Sequence, residues 1–203
     1  DPKPLHHELD MHNHALRQQI FKLFQDHDDT FRVRYGESLK RERERTNERW
    51  AVLHQAGLYK NTVTKRDLEA IMRYDTVVEC LSMLDHSLEV KTGVHYGLFG
   101  SSIARLGTDA QANRYLPLVE NLEMLGCFGL TELGHGSNVR GIETTATYDK
   151  ARDVFVIHTP TETAQKYWIG GAAETVRWCA VFANLLVNHK NHGIHAFPVR
   201  RRT

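Results

Sequence analysis

Apolar positions recur every three or four residues through the first 120 or so positions of this chain, then give way to short alternating or continuous runs. Over 9–27 the residues Leu9, Leu16, Ile20, Leu23 and Phe24 mark one face of an amphipathic helix. A second helix is expected from the mixed-charge stretch 37–45 through Trp50 and Leu53, stopping near Gly57. Thr64-Lys65-Arg66-Asp67 has the form of a weaker capping box, ahead of a long helical pattern with Leu68, Ile71, Met72, Val78, Leu81 and Leu84. Another apolar stretch, 88–106, contains Tyr96, Leu98, Phe99 and Ile103 and ends at Gly107, a natural C′ glycine. Thr108-Asp109-Ala110-Gln111 is a full capping box for a short helix that Leu116-Pro117 is expected to close.

Past Gly126 the pattern changes. Thr144-Thr145-Ala146-Thr147-Tyr148 and Val154-Phe155-Val156-Ile157-His158 read as a hairpin across the turn-like 149–153. The near-continuous apolar run 176–187 reads as a buried strand, and 193–199 alternates as one more. The expected fold class is α+β: an N-terminal helical domain over 1–125, then the first strands of a β-barrel-like domain over 126–203. Three or four strands are too few to close a barrel and leave an open apolar edge, so the β domain reads as incomplete.

Composition narrows the classes. The 203 residues are 41% hydrophobic and 25% charged with a formal net charge of +1, as in a soluble globular protein without a nucleic-acid or anionic-membrane footprint. In 37–45 the charges alternate in sign, and Glu37–Arg41 and Lys40–Glu44 pair at i,i+4, so a solvated helix face is expected. Cys80, Cys127 and Cys179 are odd in number and widely spaced, which argues against a disulfide scaffold and for a reducing setting. No apolar run approaches the roughly 20 residues that span a bilayer. The chain opens on Asp1, so something upstream is expected to be missing.

Several chemistries fail on their own patterns. His6, His7, His12 and His14 cluster, yet no H-E-x-x-H or Cys–His ligand spacing exists, and no metal site is expected. Gly136-Ser137 is no nucleophile elbow, since His135 and Val139 occupy the positions that need glycine. The glycines do not form G-x-G-x-x-G in a βαβ unit, and no parallel sheet is suggested. Two clusters remain. Cys127-Phe128-Gly129-Leu130-Thr131-Glu132-Leu133-Gly134-His135-Gly136-Ser137-Asn138 is a strand-like run ending in a hydroxyl, a carboxylate and a glycine loop. Glycines there are expected to open unusual backbone conformations and close approach to a ligand. Lys166-Tyr167-Trp168-Ile169-Gly170-Gly171-Ala172 offers a tryptophan that could stack on a flat ring. Residue types and spacing alone favour the other reading of Trp168, a core side chain beside a Gly-Gly turn.

Both clusters, with Val94-His95-Tyr96-Gly97-Leu98-Phe99, Leu106-Gly107-Thr108 and Tyr115-Leu116-Pro117, resemble the acyl-CoA oxidases. These form the peroxisomal-type branch of the acyl-CoA dehydrogenase superfamily. The resemblance runs in order over most of 60–199. Leu133 after the glutamate and Asn138 at the end match the oxidase branch, where the dehydrogenases tend to show proline and Gly-Ser-Asp.

That resemblance implies FAD as cofactor, with Phe128, Leu130 and Thr131 lining the isoalloxazine and Thr131 bonding its polar edge. It implies that Trp168, Ile169 and Gly170 cover another part of the ring. Gly136 and Ser137 would close the glycine loop, with Ser137 where the acyl-CoA thioester and pantetheine meet the flavin phosphates. The implied reaction is α,β-desaturation of acyl-CoA to trans-2-enoyl-CoA in fatty acid β-oxidation: a carboxylate takes the Cα proton, the Cβ hydride passes to the flavin, and O2 reoxidises it to give H2O2. A homodimer and a peroxisomal location are implied, or the cytoplasm in a bacterium; Arg200-Arg201-Arg202-Thr203 is no S-K-L-type signal. Tyr167 stands where the oxidases often carry a second tryptophan. The family's catalytic glutamate belongs to a C-terminal helical domain beyond Thr203, so no catalytic residue is assigned, and Glu132 is expected to be structural. The chain alone is expected to be inactive. The alternatives are an acyl-CoA dehydrogenase or a non-catalytic flavin- or acyl-CoA-binding fragment.

Overall fold

The computed structural model describes residues 12–201, together with Leu5 and Glu8; Leu9, His6, His7, Arg202 and Thr203 lie outside the described residues. Helices come first: α1 (His14–Asp26), α2 (Asp28–Phe31), α3 (Leu39–Gln55), α4 (Leu68–Leu84), α5 (His86–Thr92), a π-helical segment (Gly93–Gly100), α6 (Ser101–Leu106) and α7 (Asp109–Glu120). Strands follow: β1 (Gly126–Gly129), β2 (Thr145–Asp149), β3 (Val154–His158), β4 (Trp178–Val187) and β5 (Lys190–Arg200). A helical part followed by a few strands in one sheet is the expected class.

The local signals held unevenly. Thr108 forms the capping box with Gln111 as expected, but α7 runs on to Glu120 with Pro117 inside it. The long helix is capped by Asp67, whose carboxylate accepts from Ala70 N at 2.8 Å, and not by Thr64, which instead donates to Glu120. Its buried face is Ala70, Val77, Cys80 and Leu81, while Leu68, Ile71 and Leu84 are exposed. In place of the two expected pairs, Arg45 of α3 pairs with Glu37 just ahead of the helix, and Arg41 pairs with Glu44 and Glu48.

Where one continuous helix was expected over 88–106, the middle is π-helical. Tyr96 stacks on Tyr59 with ring centroids 4.1 Å apart, and both sit in the helical core with Phe99. A Cβ on Gly97 would overlap the Tyr74 hydroxyl, so any larger residue there has to displace that side chain. The same segment receives the sheet. A Cβ on Gly126 would overlap the Phe99 ring, and Gly126 N donates to His95 Nδ1 at 3.2 Å. With Nδ1 accepting, His95 is the neutral tautomer that donates from Nε2 to Val119 O, 2.9 Å away. Burial holds its pKa down at about 4, which keeps that tautomer neutral. One uncharged imidazole thus ties the π-helical segment, α7 and β1 together.

In the sheet, β2 and β3 form the expected antiparallel hairpin, and β5 pairs antiparallel with β4. The expectation of no parallel pairing is corrected: β1 and β2 both run parallel to β4. They do so without βαβ units, because the chain reaches β4 through the long loop 159–177. Trp178, Ala180 and Phe182 turn one face of β4 onto the helical core. The strand expected over 176–187 forms as β4, with Ala180 and Ala183 buried and its other residues half-buried.

Candidate functional site

The two sequence clusters meet. Tyr167 N donates to Thr131 O at 3.1 Å, and the Thr131 hydroxyl donates to Tyr167 O at 2.6 Å. Farther along, Leu133 N donates to Gln165 O and Gly134 N to Thr163 O, each at 2.9 Å. Residues 131–134 and 163–167 therefore form a short ribbon at the end of β1. Immediately beyond it stands Trp168, 92% exposed and in the left-handed backbone region at φ 63°. A core role for this tryptophan is thereby overturned. Holding a bulky residue in that region costs roughly 1–2 kcal/mol, and an exposed indole returns nothing in burial.

The glycines do less conformational work than expected. Gly171 needs its positive φ of 78°, and Gly171 O accepts from Glu174 N to close the turn after Trp168. Gly129, Gly134 and Gly136 have ordinary φ values. Gly129 and Gly134 are required by close packing, since a Cβ would come within 2.6 Å of Cys179 Sγ and 2.8 Å of Thr163 Cβ respectively. Gly136 has open space where a side chain would go. Cys127 and Cys179 are register partners on β1 and β4, both as thiols.

The remaining predicted residues distribute around the ribbon. Phe128 rests on Phe182 with centroids 4.9 Å apart. Leu130 lines an apolar cavity of about 480 Å³ between α6, α7 and the sheet, with Val139, Phe182 and Ile194. Ile169 and Gly170 line a different cleft of about 400 Å³, formed with Val90, Lys91 and Val94 of the helical half. Gly136 and Ser137 lie exposed in the loop between ribbon and β2. The structure thus joins Thr131 to Tyr167, the residue before Trp168, and leaves Leu130 on one cavity and Ile169 on another.

Sequence reasoning treated Glu132 as structural without finding its partners. It is only 3% exposed, and its carboxylate accepts from Glu143 N at 2.8 Å, Thr144 N at 3.0 Å, Thr144 Oγ1 at 2.5 Å and Lys166 Nζ at 3.0 Å. Burial works against its charge, yet these donors outweigh it and hold the pKa below the ordinary carboxylate value. Burial pulls Lys166 below its ordinary value, with Glu132 offsetting part of the fall. Nearby, Glu143 is held at about 2 by the Thr161 hydroxyl, then by His135 and Thr163. His135 Nε2 lies 2.8 Å from Glu143 Oε1, which anchors the glycine loop. Among the described residues no group of three or more His, Cys, Asp or Glu could hold a metal ion, and no helix is long and apolar enough to cross a membrane.

A helical layer closed onto a mixed sheet, with a ribbon presenting threonine and tryptophan, defines a class. Residues 10–125 match the family model described as acyl-coenzyme A oxidase N-terminal. The chain belongs to the acyl-CoA oxidase family. It is 43% identical over 168 residues to peroxisomal acyl-coenzyme A oxidase 3 of Arabidopsis thaliana, covering 83% of this chain and 25% of that protein. Acyl-CoA oxidase 3 of Yarrowia lipolytica has a similar structure, with a TM-score of 0.78 and 34% identity over 93% of this chain and 26% of that one. Acyl-CoA oxidase-2 of Caenorhabditis elegans, solved with FAD, ascaroside-CoA and ATP, matches at a TM-score of 0.53 and 28% identity, over 84% of this chain and 33% of that one. The chain spans about a quarter to a third of the length of these relatives.

Proposed function

We propose that this chain is the helical and flavin-facing portion of an FAD-dependent acyl-CoA oxidase, with domains over 1–125 and 126–203. In this reading the whole enzyme converts acyl-CoA and O2 to trans-2-enoyl-CoA and H2O2, in peroxisomes and as a homodimer. Trp168 carries the reading: it keeps an exposed indole in a costly backbone conformation, one residue after Tyr167, whose carbonyl accepts from the hydroxyl of Thr131. Costly backbone conformations held by their surroundings concentrate at ligand sites.

The residues fit a flat polar ring system. Trp168 offers a free aromatic face. The Thr131 hydroxyl spends its proton on Tyr167 O and keeps lone pairs for a donor on the ligand's edge. Leu130 on one cavity and Ile169 and Gly170 on the other would flank the ligand from two sides, with Phe128 behind Leu130, and the exposed Gly136 and Ser137 would face an acyl-CoA thioester. Bound FAD would supply the two-electron oxidant of desaturation. The relative solved with FAD and ascaroside-CoA supports this pairing of cofactor and substrate class.

A second reading is favoured for the chain taken by itself: binding without turnover. Glu132, the carboxylate within the ribbon, is buried and committed to four donor groups, so it is not available as a base. Titration of the folded chain with FAD should give saturable quenching of flavin fluorescence that Trp168→Ala abolishes, and no peroxide on adding acyl-CoA. Absence of saturable binding to a folded chain would sink the flavin reading, and peroxide release by the chain alone would sink the second.

A further inference from the structure

β1 and β2 lie one after the other along the same edge of β4: Gly126–Gly129 faces 178–181, and 145–147 faces 184–186. Phe182 and Ala183 fall in the gap, where no strand continues the ladder. A gap of this kind leaves backbone groups to be satisfied by other means. Lys166 enters it. Its ammonium donates to Phe182 O at 2.8 Å, to Leu130 O at 3.1 Å and to Glu132 Oε1 at 3.0 Å. Three protons meet three acceptors on three segments: β4, the end of β1 and the ribbon. Glu132 in turn grips the start of β2 through Glu143 N and Thr144 N.

Side chains alternate along extended backbone. Glu132 and Lys166 face each other on the inside of the ribbon, while their neighbours Thr131 and Tyr167 pair by hydrogen bonds next to the exposed Trp168. We propose that Lys166 and Glu132 are positioning residues. Their buried pair fixes the register of the ribbon, and that register places Thr131 and Trp168 on one ligand face. A slip of one residue would exchange inside for outside and put Lys166 where Tyr167 now stands. The device needs lysine in particular: a planar guanidinium fork cannot serve three acceptors spread around a tetrahedral ammonium. The inference rests on the flavin reading for the identity of the ligand, but the register lock can be tested without one.

The experiment compares the 203-residue chain with Lys166→Arg, which keeps the charge and loses the geometry. Because Lys166→Met alone would leave Glu132 charged and buried, the double variant Glu132→Gln/Lys166→Met supplies the neutral comparison. Far-UV circular dichroism and cooperative unfolding establish that each variant folds. Amide hydrogen exchange at Tyr167 and Leu133 then reads the register in the unliganded chain, and FAD titration reads the ligand face. Both variants should lose about tenfold or more in protection at those two amides, and about tenfold or more in FAD affinity, as expected for losing a charge-assisted hydrogen-bond set. Protection kept within about twofold of the parent in both folded variants overturns the lock. Lost protection with FAD affinity unchanged overturns the positioning role. If the parent protects Tyr167 but binds no FAD, the flavin reading fails while the exchange comparison still decides the lock.

Discussion

Phe99 in the π-helical segment is fully buried, at 0% exposure, while Phe155 on β3 is 49% exposed. The contrast extends to their surroundings. Phe99 belongs to a core built from Tyr59, Tyr96, Leu53, Leu81 and Leu88, whereas Phe155 packs its ring near those of Tyr148 and Phe197 and lies between Val154 and Val156, both exposed. The helical region holds its shape by burying apolar volume. The ribbon-bearing region holds its shape by satisfying polar groups around Glu132 and Lys166. Mutations should therefore follow different rules on the two sides.

The largest effect is expected at Phe99. Phe99→Ala should cost about 3–5 kcal/mol in denaturant unfolding, the range for deleting a fully buried aromatic. Next comes acid pH. His95 falls from its ordinary 6.5 to about 4 in the folded chain, so between those values the unfolded chain binds a proton that the folded one refuses. Its contribution is present above 6.5 and is lost as pH falls toward 4; the difference corresponds to roughly 3 kcal/mol. His95→Gln, which cannot titrate, should flatten the stability profile across that window, measured by unfolding at a series of pH values.

On the polar side, Thr144→Val keeps the shape but removes the hydroxyl that donates to Glu132 and contacts Ala164 O. It should cost about 2 kcal/mol, the scale of a hydrogen bond to a charged group. Phe155→Ala, though it deletes far more atoms, should cost about 1 kcal/mol or less because those atoms are already half in water. The smallest effect is expected for Arg43→Ala, which breaks the exposed ion pair with Glu174: about 0.5 kcal/mol or less. If Phe155→Ala proves costlier than Thr144→Val, the contrast between the two regions is wrong.

Local signals on the chain were readable where a few neighbouring residues decide the outcome. Thr108 with Gln111 capped its helix, and the hairpin formed across 149–153. What could not be read depended on partners distant in sequence. The π-helical segment packs Gly97 against Tyr74 and Phe99 against Gly126, contacts that no local pattern announces. The parallel pairing of β1 and β2 with β4 follows from a loop whose course no periodicity encodes. Cap choice between Thr64 and Asp67 turned on Glu120, which claims the threonine from 56 residues away. At the site, the meeting of Thr131 with the Trp168 cluster was legible through family resemblance. The inward pair Glu132–Lys166 was not, because a lysine before two aromatics looks like a solvated residue until the gap beside Phe182 is seen.

The central claim is that Thr131 and Trp168 belong to one ligand face. It is tested most directly by following the Thr131 amide and the Trp168 indole N–H in a nuclear magnetic resonance titration of the isotopically labelled chain with FAD. Both signals should shift and saturate along the same binding curve. Movement of only one of them, or two curves with different midpoints, would contradict a shared face.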